Sequence, residues 1–225
     1  MRPQAPFAII ILGGDAPQGL ALQALLDLWP LAGLKIAADS GAEHLLALGL
    51  LPDLVVGDGD SLSAAGQTAL KQAGVDFISL PVDKDLTDGE AAYQSAFATG
   101  YKNLALFGAD GGRNDHWLGN LLLPLNCREQ WQQIIFYLQQ SYAWYCFGKT
   151  EISGQPGDTV SLIALSDQVC DITLKGFVYS LQNATTQRGS SLCLSNQLQE
   201  TTAYVRFAVE GIMLVVHTPA QLVSG

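Results

Sequence analysis

Leu34 to Asp60 reads LKIAADSGAEHLLALGLLPDLVVGDGD, and the fold is decided there. Leu34–Ala38 is a short apolar run suited to a buried strand, and Leu54–Gly57 repeats it. Between them Gly41–Leu48 carries a helical period. Ser40 with Glu43 three residues on forms a capping box, in which hydroxyl and carboxylate would each satisfy an orphan amide. Strand, helix and strand in succession imply a parallel sheet with helices on its faces.

The alternation continues outward in both directions. Phe7–Leu12, Phe77–Leu80 and Leu104–Gly108 are further strand runs, while Gln18–Trp29, Ser63–Ala73, Asp88–Thr99 and Asp115–Leu125 carry the helical period. Thr87-Asp88-Gly89-Glu90 supplies a second capping box. The expected fold class is therefore α/β, with a Rossmann-like parallel sheet over residues 1–147. After about residue 140 helix signals fade. Short β-rich runs then recur at Thr159–Ala164, Ile172–Lys175, Val178–Leu181, Tyr204–Val209 and Met213–His217, predicting an all-β sandwich over 148–225 with a boundary near Gly148.

Composition narrows the function class. The 225 residues are 48% hydrophobic and 14% charged, so apolar burial can offset ordering entropy and no disorder signature exists. A formal net charge of −10 argues against a nucleic-acid partner, which would require a basic face to displace counterions, and favours a small-molecule ligand. Cys127, Cys146, Cys170 and Cys193 show neither C-x-x-C nor metal-finger spacing. No secretory signal is visible and no apolar run approaches the roughly 18 residues of a membrane span. The expectation is a reduced, cytoplasmic protein with no membrane partner.

Acidic residues are unevenly chosen: 15 Asp against 6 Glu, with ten of the Asp between Asp39 and Asp115. Asp prefers turns, and in an open parallel sheet ligands bind beyond the carboxyl ends of the strands. Four consecutive loops on that edge hold Asp39-Ser40-Gly41, then Gly57-Asp58-Gly59-Asp60-Ser61, then Asp83-Lys84-Asp85-Leu86-Thr87-Asp88, then Asp110-Gly111-Gly112-Arg113-Asn114-Asp115-His116. Unit charges about 4 Å apart repel by roughly 4 kcal/mol at an effective dielectric near 20, so converging carboxylates call for a cation. Hard oxygen ligands select Mg²⁺, Mn²⁺ or Ca²⁺ over zinc, and Mg²⁺ completes its shell with water and phosphate. Lys84, Arg113 and the loop glycines suit phosphates.

Each of these residues also has a plainer reading. Asp39 could merely precede the Ser40 cap, and Thr87, Asp88 and Glu90 could be a well-made helix start. Lys84 and Arg113 could be solvated charges. His116 reads as a general base or as a structural first-turn histidine, and His44 and His217 lie within element patterns with no expected role. Gly148-Lys149-Thr150 resembles the end of a P-loop, but Ala143 stands where that motif needs glycine and no helix pattern follows.

Taken in order, Asp39-Ser40-Gly41-Ala42-Glu43, Leu48-Gly49-Leu50-Leu51-Pro52-Asp53, Gly57-Asp58-Gly59-Asp60-Ser61, Lys84-Asp85-Leu86-Thr87-Asp88-Gly89-Glu90 and Gly111-Gly112-Arg113-Asn114-Asp115-His116 with Asn120 resemble the thiamin pyrophosphokinase family. The resemblance extends to Val160–Ser166, Thr173–Gly176 and Leu194-Ser195-Asn196, and so spans nearly the whole chain. It implies transfer of a pyrophosphoryl group from ATP to the hydroxyethyl oxygen of thiamine, giving thiamine diphosphate and AMP. It also implies a homodimer with active sites between subunits. By the resemblance, Asp58, Asp60 and Asp85 hold Mg²⁺ with Asp39 and Asp83 in support, and Asp88 belongs to the same motif. Lys84, Arg113, Asp115 and the Gly111-Gly112 backbone address the nucleotide, and Ser195 and Asn196 match the thiamine-side segment.

Two positions depart from the family pattern. Gly59 replaces the Phe usual between the paired aspartates, and Asn114 replaces the usual residue between Arg113 and Asp115. No tryptophan falls in the β-domain segment expected to face thiamine, so the sequence names no aromatic partner for its rings. Asp85 and Asp88 both remain candidates for the base that receives the alcohol proton. A related pyrophosphokinase acting on a hydroxymethylpterin, or a non-catalytic nucleotide or vitamin sensor, would share much of this pattern.

Overall fold

The computed structural model describes residues 1–79 and 86–223. Asp83, Lys84 and Asp85, with Leu80 of the expected fourth strand, lie outside the described residues. The chain divides into two compact units, 1–139 and 140–225.

The first unit alternates strands and helices: β1 (Ala8–Ile11), α1 (Gly19–Leu28), β2 (Leu34–Ala38), α2 (Gly41–Ala47), β3 (Leu54–Gly57), α3 (Ala64–Gln72), β4 (Asp76–Ser79), α4 (Asp88–Ala98), β5 (Asn103–Phe107), α5 (Asn114–Leu122) and β6 (Gln133–Tyr137). Strands run in the order β6-β5-β1-β2-β3-β4, every pair parallel. Ala8–Ile11 and Asn103–Phe107 are buried at every position, so both faces of the central strands are covered. Each fully buried Ile of β1 contributes about 1.5–3 kcal/mol relative to exposure.

Local chemistry sets the helix ends. Thr87 caps α4, its hydroxyl accepting from the Glu90 amide at 3.1 Å. The Ser40 box does not form. Ser40 is itself in helical conformation with no cap bond; its hydroxyl donates to the Gly13 carbonyl at 3.3 Å, and Glu43 accepts instead from the Ser63 amide at 2.7 Å. α5 stops at Leu122 instead of Leu125, because Pro124 lacks the amide that would continue it and the chain tightens into a 3-10 segment.

The second unit is all-β apart from its last turn: β7 (Tyr142–Phe147), β8 (Lys149–Ser153), β9 (Thr159–Ala164), β10 (Gln168–Lys175), β11 (Leu181–Gln187), β12 (Asn196–Gln197), β13 (Thr202–Arg206), β14 (Ile212–Thr218) and α6 (Ala220–Val223). Within it the strands pair antiparallel as β12-β9-β14-β7 and as β11-β10-β13-β8. The division falls at Gln139, ahead of the boundary expected near Gly148, because β7 pairs with β14 along its whole length. Trp144 therefore belongs to the second unit, where it is buried. The expected strand Val178–Leu181 is displaced: only Phe177 makes a bridge, to Leu198, and the strand proper starts at Leu181.

Candidate active site

The strand order reverses direction between β1 and β5. The chain leaves β1 toward β2, β3 and β4, then returns to β1's other side for β5. Such switch points open a crevice at the carboxyl ends of the strands. A cleft of about 580 Å³ opens there, lined by the loops after β1, β2, β3 and β5 and by the first turns of α4 and α5. This volume suits a small-molecule ligand.

Asp39, Asp58, Asp88, Gly111, Gly112, Arg113, Asp115 and His116 all line the cleft. One carboxylate oxygen from each of Asp39, Asp58 and Asp60 lies within 4.8 Å of the others. Ser61 bridges two of them, its hydroxyl lying 2.9 Å from Asp39 Oδ2 and 3.1 Å from Asp60 Oδ1. The Asp60 amide donates to Asp58 Oδ1 at 3.0 Å. Gly59 between them sits at φ +77°, in the left-handed region that favours glycine. Gln67 on α3 holds that loop by donating to the Gly59 carbonyl at 2.9 Å.

Asp39 has φ +49°, which is unusual for a residue with a side chain. Burial pushes its carboxyl above the ordinary carboxylate range; hydrogen bonds from Ser61 and Ser40 oppose this, while the charges of Asp88 and Asp60 add to it. Its Oδ1 is buried without a hydrogen-bond partner among the described residues. An orphaned carboxylate oxygen beside two further carboxylates is costly alone and is suited to a hard divalent cation. The donor set therefore fits magnesium.

Across the cleft, Arg113 and Asp115 form a two-point ion pair, Nε to Oδ1 at 3.1 Å and Nη2 to Oδ2 at 2.6 Å. Hydrogen bonding to Arg113 holds Asp115 below the ordinary carboxylate range. The pair is exposed, so a phosphate can compete for the guanidinium at little cost. Ser195 and Asn196 lie in the second unit. Ser195 has φ +54° and its amide donates to Ser161 Oγ at 3.0 Å. Asn196 is buried and grips Tyr179 from both sides: its Oδ1 accepts from the Tyr179 amide at 3.0 Å, and its Nδ2 donates to the Tyr179 carbonyl at 2.7 Å. Tyr179 is 68% exposed, which makes it an available aromatic surface.

Tyr179 falls within the expected strand Val178–Leu181, a placement that carries no site signal. Gly13 and Gly14, absent from the expected site residues, also line the cleft, and a glycine pair closing β1 repeats the strand-then-glycine pattern of the other cleft loops.

Comparison with known proteins follows the same two units. Residues 25–136 match the family model described as thiamin pyrophosphokinase, catalytic domain, and 149–212 match thiamin pyrophosphokinase, vitamin B1 binding domain. A thiamine pyrophosphokinase of Bacillus subtilis is 29% identical over 187 residues, covering 82% of this chain and 87% of the relative. The crystal structure of thiamine pyrophosphokinase from Bacillus subtilis superposes with a TM-score of 0.82 at 26% identity, covering 95% of this chain and 99% of that one. The structure of thiamin pyrophosphokinase from Geobacillus thermodenitrificans gives 0.78 at 29% identity, over 94% and 97% of the two chains. With both halves matched, the chain belongs to the thiamin pyrophosphokinase family.

Proposed function

We propose that the chain transfers the pyrophosphoryl group of ATP to the hydroxyethyl oxygen of thiamine, releasing AMP. The observation that carries the reading is the meeting of Asp39, Asp58 and Asp60 within 4.8 Å, where Asp39 and Asp58 line a cleft that Arg113 and the Gly111-Gly112 turn also line. Anionic phosphates need this combination of cation-binding carboxylates, a guanidinium and side-chain-free backbone.

In this reading Asp58, Asp60 and Asp85 hold Mg²⁺ with Asp39 and Asp83 in support, and the bound ion supplies charge neutralisation at the reacting phosphates. Ser61 orients the Asp39 and Asp60 carboxylates through its hydroxyl. Arg113 exchanges Asp115 for phosphate oxygens and, with Lys84, neutralises charge as AMP departs. Asp85 or Asp88 receives the alcohol proton. On the acceptor side Ser195 and Asn196 belong to the thiamine-binding segment, and Tyr179, fixed by Asn196, offers its ring to the flat heteroaromatic rings of thiamine.

The reading includes a homodimer in which the second unit of one protomer serves the first unit of its partner. The exposed apolar side chains of Val178, Tyr179, Leu192 and Leu194 support an interface on that unit. Four free cysteines agree with a reducing compartment, and the reaction is assigned to the cytoplasm.

The test is nucleotide release. With Mg-ATP and thiamine the protein should form AMP and thiamine diphosphate, with neither product when magnesium is chelated. AMP formed with a hydroxymethylpterin and not with thiamine would move the assignment to another acceptor. ADP as the product, or binding without turnover, would defeat pyrophosphoryl transfer.

A further inference from the structure

His44 has no part in the reaction as described, yet it bonds to Gly14, which lines the cleft. Its Nε2 lies 2.8 Å from the Gly14 carbonyl oxygen. A carbonyl only accepts, so the ring carries hydrogen at Nε2 and donates it. Just ahead of the same helix, at its N-cap, Ser40 donates to the Gly13 carbonyl at 3.3 Å. The opposite side of this turn is tied to the loop after β5: the Gly14 amide donates to Gly108 O at 2.9 Å, and the Asp15 amide to Asp110 O at 2.8 Å.

The approach on the β5 side leaves no room for a side chain. A Cβ at Gly14 would lie 2.3 Å from Asp110 O and 2.5 Å from Gly108 O. Backbone bonds therefore hold the Gly13-Gly14 turn on one side, and the side chains of His44 on α2 and of its N-cap Ser40 hold it on the other. A glycine pair has more conformational freedom to lose than any other, so the brace from α2 decides how well the turn is ordered before a ligand arrives. Gly13 and Gly14 line the cleft together with Gly111 and Gly112 across the β1/β5 switch point, where nucleotides seat in sheets of this kind.

We propose that His44 is a positioning residue for the nucleotide, holding the Gly13-Gly14 wall of the cleft through its bond to the Gly14 carbonyl. The naming of ATP as the nucleotide rests on the pyrophosphokinase reading. His44 acts on nucleotide affinity and leaves thiamine binding and the chemical step alone.

His44→Leu fills the volume of the ring without a donor, and His44→Gln restores a donor at similar reach. In steady-state assays His44→Leu should raise KM for ATP about tenfold, the worth of one hydrogen bond, while kcat and KM for thiamine stay within about twofold. His44→Gln should return KM for ATP to within about threefold of wild type. Calorimetric titration with ADP should show the same tenfold loss and the same rescue, in variants whose circular dichroism matches wild type. Unchanged ADP affinity in His44→Leu, a parallel loss in kcat and thiamine KM, or a Gln variant as weak as Leu would each overturn the proposal. Should wild type release no AMP, the functional reading falls and the ADP comparison still decides His44.

Discussion

Asp60→Asn separates a metal-holding cluster from a merely acidic one, because the two predict opposite combinations of stability and activity. Asp39, Asp58 and Asp60 present oxygens within 4.8 Å of one another, and unit charges at that distance repel by about 3 kcal/mol at an effective dielectric near 20. Asp58 and Asp60 are exposed, so screening by water leaves about 1 kcal/mol per pair. Asparagine keeps the shape and still accepts from Ser61, but removes one charge and with it two of the three repulsions. Without metal the variant should be more stable than wild type by about 1–2 kcal/mol, a rise of about 4 °C in Tm. Magnesium should raise the Tm of wild type by mass action and leave the variant almost unmoved. Turnover in magnesium should fall by about a hundredfold or more. Differential scanning fluorimetry with and without chelator, run beside the AMP assay, reads all three quantities. An active Asp60→Asn enzyme, or one less stable than wild type in chelator, would refute the reasoning.

Three further outcomes are expected. The Asp39 carboxyl is raised chiefly by burial, so its folded-state value exceeds the unfolded one and its contribution to stability, present at acid pH, is lost as pH rises through the raised value. Asp39→Asn should therefore match wild type in urea midpoint at acid pH and exceed it at neutral pH in chelator. Tyr179→Ala should raise KM for thiamine about tenfold with KM for ATP unchanged, and Tyr179→Trp should recover it, since stacking needs a ring and no particular hydroxyl. Burial pushes the Cys146 thiol up to about 12, so mass spectrometry after iodoacetamide at mildly alkaline pH should find it unmodified until urea is added.

The parallel sheet was legible because its central strands are buried on both faces and its strands read as short, largely apolar runs: β2 and β3 have the bounds expected from Leu34–Ala38 and Leu54–Gly57. The loops were legible for a related reason, since glycine and aspartate at strand ends are seldom neutral choices. β6, β7 and β8 were harder, lying in a segment with no helical period to set them apart. Ser40 shows the limit of local rules. Its spacing to Glu43 satisfies a capping box, but tertiary partners, the Gly13 carbonyl and the Ser63 amide, take both side chains. Tyr179 was hidden because its backbone is held by Asn196, seventeen residues later in the chain, and no periodicity encodes that grip. The convergence of Asp39 with Asp58 and Asp60 likewise follows from the parallel pairing of β2 with β3 and from no spacing within either loop.

Gly59 carries a consequence for how sequences of this kind can change. Its left-handed backbone would cost a side-chain-bearing residue about 1–2 kcal/mol, and Gln67 fixes that conformation by binding the Gly59 carbonyl. A side chain introduced at Gly59 would meet a turn that Gln67 already holds, and loss of Gln67 would free that turn to relax. The two positions are therefore coupled, and substitutions at Gly59 and Gln67 should combine with an effect different from the sum of each alone.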